Sequence, residues 1–155
     1  MIQFISWLTK NLITFTNLLI AFIAVSILVL QYLLAKRRWR LDLYDKRYPV
    51  YLGTMEYLSV IMRDASVTME ELMKFLRNSK DKEFLFGKDV KDYLEELYKK
   101  GVDLKRYESL LKNDRLDEEK RTKLVDEEAD LLEWFRKQFD VSKTLFGKYL
   151  AIDKK

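Results

Sequence analysis

The chain has 155 residues, with 29 Lys and Arg against 25 Asp and Glu, one proline, four glycines, and neither cysteine nor histidine. Without cysteine, disulfides, thiolate metal sites and cysteine nucleophiles are excluded, and without histidine the commonest general base and metal ligand is gone. The positive excess is local: residues 1–40 hold Lys10, Lys36, Arg37, Arg38 and Arg40 and no acid, leaving 24 basic against 25 acidic side chains beyond them, which argues against nucleic acid as a partner.

The N-terminal quarter carries the strongest signal. Between Lys10 and Lys36 there is no charge, and the run from Leu18 to Leu34 is almost continuously apolar. Residues 12–35 make about 36 Å of helix at about 1.5 Å per residue, enough to cross a hydrocarbon core of about 30 Å. A cleavable signal peptide has a shorter apolar core and a small-residue cleavage site. Here the core ends instead in Lys36-Arg-Arg-Trp-Arg40, a stop-transfer flank. The reading is an uncleaved anchor; the plain alternative is a helix buried in a protein core.

Basic residues cluster after the span, so the positive-inside rule places the C-terminal part in the cytoplasm and the N-terminus outside. The expected organisation is an extracytoplasmic segment 1–11, a transmembrane helix 12–35, a basic juxtamembrane helix 36–48 and a cytoplasmic domain 49–155. Lys36, Arg37, Arg38, Trp39 and Arg40 form a membrane flank suited to anionic headgroups, with each basic residue worth about 1 kcal/mol near the surface. Trp39 is equally well read as domain packing. Within the span, Asn17 is an amide that prefers a partner and can pair with a second copy, an effect on the order of 0.6–2 kcal/mol.

Beyond the flank, Leu41, Tyr44, Tyr48, Tyr51, Met55, Leu58 and Met62 recur at three- and four-residue steps and predict an amphipathic helix, with Lys46 and Arg47 on its other faces. Pro49 predicts a kink near Arg47–Tyr48 or a break. Thr68-Met-Glu-Glu71 reads as a capping box opening a second helix, with Met69, Leu72, Met73 and Leu76 facing inward. Phe84-Leu-Phe86-Gly87 reads as an apolar connector; Phe84 and Phe86 are either a hook for a protein partner or plugs closing the domain's end. A third helix is expected over residues 88–112, a turn from Asn113, and a last helix over 117–149 that frays towards Gly147 and Asp153-Lys-Lys155. Gly101 is expected to permit close helix approach or a bend. The fold expectation is all-α: one transmembrane helix followed by an antiparallel bundle of about four helices.

The chemical clusters point away from catalysis. Glu70-Glu71 and Glu95-Glu96 are neighbours that face different sides of a helix, and the acids around Asp126–Asp130 lack the spaced ligands and glycine turn of a calcium loop. No cofactor, metal or small-molecule substrate is expected. The tyrosine row Tyr44, Tyr48, Tyr51 and Tyr57 suits either a core lining or a contact surface.

The blocks Asp42-Leu-Tyr-Asp-Lys-Arg-Tyr48, Glu56-Tyr-Leu58, Phe84-Leu-Phe86 and Leu132-Glu-Trp-Phe-Arg-Lys-Gln-Phe139 resemble segments of small bacterial single-pass membrane-anchored helical proteins. The resemblance implies a bacterial inner membrane and brings no active site with it. The expected function is a membrane-tethered interaction or scaffolding module without catalysis, its partners the membrane and either another protein or a second copy. The alternative is an oligomerising membrane-active effector, a toxin or defence protein acting on the bilayer.

Overall fold

The computed structural model describes residues 2–112 and 117–151, with side chains described at Trp7 and from Asn11 onward. The expected turn at 113–116, the tail at 153–155 and the side chain of Lys10 lie outside the described residues. Every element among the described residues is a helix: α1 Ile2–Asp64, α2 Met69–Asn78, α3 Lys82–Leu85, α4 Lys88–Leu111 and α5 Glu118–Leu150. The chain divides into two compact units, Met1–Asp42 and Leu43–Lys155, both entered by α1.

In the first unit the uncharged residues 12–35 of α1 are exposed around the helix, Ser26 alone being half-buried. In the second it acquires a buried face, but not quite the expected one. Val50, Thr54, Tyr57, Leu58 and Ile61 are buried, while Tyr51, Met55 and Met62 lie at the margin of the core. The three-four spacing fits both stripes, and only the neighbouring helices decide between them. Pro49 does not break the helix. It lies on an exposed side with Asp45 one turn back, so water can satisfy the carbonyl that proline leaves without a donor.

Ala65 takes a left-handed conformation (φ 48°), reversing the chain between α1 and α2. The capping box then starts α2: Thr68 Oγ1 accepts from Glu71 N–H (3.2 Å) and Glu71 Oε2 accepts from Thr68 N–H (2.7 Å). The inward residues of α2 are Leu72 and Phe75, whereas Met69 and Met73 are exposed. Phe75 wins that place because its ring stacks on Tyr57 at 4.3 Å between centroids. The connector after α2 contains the short helix α3, which the sequence did not predict.

Helix α4 is the hub, its backbone approaching α2, α3 and α5. It buries Val90, Tyr93, Leu94, Leu97, Gly101 and Leu104, and α5 answers with Leu131, Phe135, Gln138, Ser142 and Phe146. The polar members of this seam are satisfied. Tyr93 O–H donates to the Gln138 carbonyl (3.2 Å) and shares a hydrogen with Ser142 Oγ (2.6 Å), while Gln138 Nε2 donates to the Trp134 carbonyl (3.0 Å). At Gly101 the absent Cβ leaves room for the Tyr57 side chain, whose hydroxyl would collide with any larger residue there. That hydroxyl is buried with no hydrogen-bond partner among the described residues. Burial, ahead of the nearby Tyr98 and Glu71, pushes its pKa well above the usual tyrosine value.

Candidate functional site

Two places among the described residues stand out first. The first is the surface of α1 from Leu12 to Arg40. Phe15, Leu18, Phe22, Leu28 and Leu34 are each more than half exposed, and Ser26 is the one residue of 12–35 that is half-buried rather than exposed. Among the described residues none of the most apolar window is buried. One helix long and apolar enough to cross a membrane is present, near the N-terminus.

Two hydroxyls in this stretch are satisfied by the helix's own backbone. Thr16 Oγ1 donates to the Ile13 carbonyl and Ser26 Oγ to the Phe22 carbonyl, both at 2.8 Å, so neither hydroxyl needs an outside partner. Asn17 is exposed, and its amide makes no hydrogen bond within the described chain. Lys36, Arg37, Arg38 and Arg40 follow at about 100° per residue, spreading charge around most of the helix circumference. All four are exposed, and none joins an ion pair among the described residues. Trp39 is 64 % exposed.

The second place is a latch built on Arg47, which the sequence reading put on a solvent face. Its guanidinium lies half-buried, with Nε donating to the Leu85 carbonyl (2.8 Å) and a terminal nitrogen donating to the Tyr149 carbonyl (3.2 Å). The same group lies over the rings of Phe86 (5.9 Å) and Tyr149 (5.3 Å). Tyr149 O–H donates to Asp89 Oδ1 (2.6 Å) and accepts from Gly87 N–H (3.1 Å). That hydrogen bond is the main cause of the lowered Asp89 pKa and of the raised Tyr149 pKa. One cation thus fastens α1, α3 and α5 together beside the start of α4. A basic residue three beyond Tyr44 and four before Tyr51 was the available signal, at the edge of the apolar stripe.

The latch separates Phe84 from Phe86. Phe86 is buried, edge-on to Phe146 and Tyr149, and packs against them in the core of the second unit. The alternation is local: the backbone turns extended at Phe86, directing that ring inward, while Phe84 on α3 stays 87 % exposed. The tyrosine row grades in the same way, from stacked and partly exposed Tyr44 and Tyr48 (5.4 Å) to fully packed Tyr57. Among the described residues no group of three or more acidic side chains is placed to hold a metal ion. Comparison with protein-family models, curated proteins and solved structures finds no match, so the residues alone carry the functional argument.

Proposed function

We propose that this is a single-pass inner-membrane protein whose C-terminal part is an antiparallel helical bundle of about four helices in the cytoplasm. The bundle acts as a tethered interaction or scaffolding module without catalysis. The observation that carries the reading is the apolar surface of residues 12–35, open on every side of α1. In water such a rod would associate through its whole circumference; in lipid it is solvated as it stands. The exposed cations of Lys36 to Arg40 supply the inner flank, and the near-neutral remainder supplies no field for nucleic acid.

The test is fractionation followed by topology. Alkaline carbonate is expected to leave the full chain in the membrane pellet. A phosphatase fused after Lys155 is expected to stay inactive while a fluorescent protein at the same place glows. Release by carbonate removes the anchor, and an active phosphatase reverses the orientation. Asn17 favours a second reading: its unpartnered amide fits a self-associating effector that depolarises the membrane. Under that reading strong expression collapses the membrane potential and Asn17→Leu relieves it; an unchanged potential leaves the scaffold alone.

A further inference from the structure

Lys46 lies six residues beyond Arg40, and the unit from Leu43 onward gathers positive charge around it. Lys46 on α1, Arg77 at the end of α2 and Lys80 in the next turn line an open groove of about 520 Å³. Pro49, Val50, Phe84 and Leu85 supply its apolar lining. All three cations are exposed, and none is in an ion pair among the described residues, although twelve ion pairs form elsewhere on those residues. Against them the groove sets one carboxylate, Asp81. Phe84, at 87 %, is the most exposed large apolar side chain among the described residues, more so than any in the span.

An apolar ring that open, beside uncompensated cations, matches the chemistry of a bilayer interface, where rings settle at headgroup depth and Lys and Arg meet phosphates. An acidic protein surface satisfies the cations but leaves Phe84 to find its own pocket. A membrane satisfies both, and a span on the same chain holds headgroups near at high effective concentration. We propose that this groove docks onto the anionic phospholipid headgroups of the bilayer, with Phe84 entering the interface and Lys46, Arg77 and Lys80 contacting phosphates. The proposal rests on the anchor reading of residues 12–35. It adds a second lipid contact, separate from Lys36–Arg40, made by the folded domain itself.

The chain has no cysteine, so Glu83→Cys gives the full-length protein a single site for a nitroxide beside an intact Phe84. In nanodiscs of phosphatidylcholine with roughly 30 % phosphatidylglycerol, the label is expected to favour oxygen over a water-soluble nickel chelate several-fold more than in phosphatidylcholine alone. The combined Lys46→Gln, Arg77→Gln and Lys80→Gln variant, or about 1 M salt, is expected to abolish that difference. Phe84→Ser is expected to reduce it.

A label equally open to water in both lipids overturns the proposal, as does a charge-neutralised variant that still docks. Protection by an acidic peptide with none from lipid reassigns the groove to a protein. A chain that enters nanodiscs with a water-exposed label defeats the groove alone, whereas one that never enters them defeats the anchor as well.

Discussion

Phe22 and Phe135 are the same residue on two helices of the same chain, yet one is 71 % exposed and the other is 0 % exposed. The units that hold them differ in how apolar surface is arranged. Over residues 12–35 it lies exposed around α1; from Leu43 on its buried part gathers on faces that meet other helices. Hydrophobicity by itself therefore does not define a core. A face must leave room for polar residues on the opposite side before a helix can be stable at a protein–water boundary, and α1 crosses from one regime to the other without ending.

The comparison is open to direct attack. The largest effect is expected from Phe135→Ala, which should cost about 3–5 kcal/mol in urea unfolding of the full chain in mild detergent, read by Trp134 fluorescence. Phe22→Ala should leave that transition where it is; equal losses would erase the distinction between the two units. Next comes alkali. Burial, ahead of the opposing Ser142 hydrogen bond, pushes the Tyr93 pKa to about 12, and Tyr57 is raised too. The folded state therefore holds those protons after the unfolded chain has released them. Stability from this source is complete below about pH 10 and is lost as pH rises towards 12, on the order of 2–3 kcal/mol for Tyr93. Urea midpoints at pH 8 and 11.5 measure it, and the apolar span, with no such tyrosine, should keep its helical circular dichroism.

A smaller effect sharpens the account of the packed unit. Gly101→Ala drives a methyl against the Tyr57 hydroxyl and is expected to cost about 1–3 kcal/mol. Tyr57→Phe removes both the obstacle and an unpartnered buried group, so the double variant should regain most of that loss. Simple additivity of the two changes would show that the glycine matters for another reason. The smallest is Thr68→Ala, worth about 1 kcal/mol through the lost cap of α2, read as a shift in the same urea midpoint.

Much of this was written in the chain in forms that depend only on near neighbours. Thr68 and Glu71 announced the start of α2 because capping is a contract between residues three apart, and the stripe from Val90 to Leu104 found α4 to within a residue. The long apolar helix over residues 12–35 was equally plain, since it depends only on length and composition. What stayed hidden depends on partners distant in sequence. Phe75 outcompeted Met69 and Met73 because Tyr57 waits 18 residues upstream, and Arg47 turned inward because Leu85 and Tyr149 offer it carbonyls. The opposite fates of Phe84 and Phe86 follow from one extended residue at the end of a four-residue helix, too small a feature for any periodicity to register.

The hydrogen bond from Arg47 to Tyr149 bridges 102 positions of chain. Because a ribosome delivers residues in order, this fastening has no counterpart to grip until Tyr149 has been made, long after residues 12–35 have emerged. Throughout that interval the arginine has the Leu85 carbonyl within its chain but not that of Tyr149. Emergence of the apolar segment and final closure of the fold are thereby set apart in time.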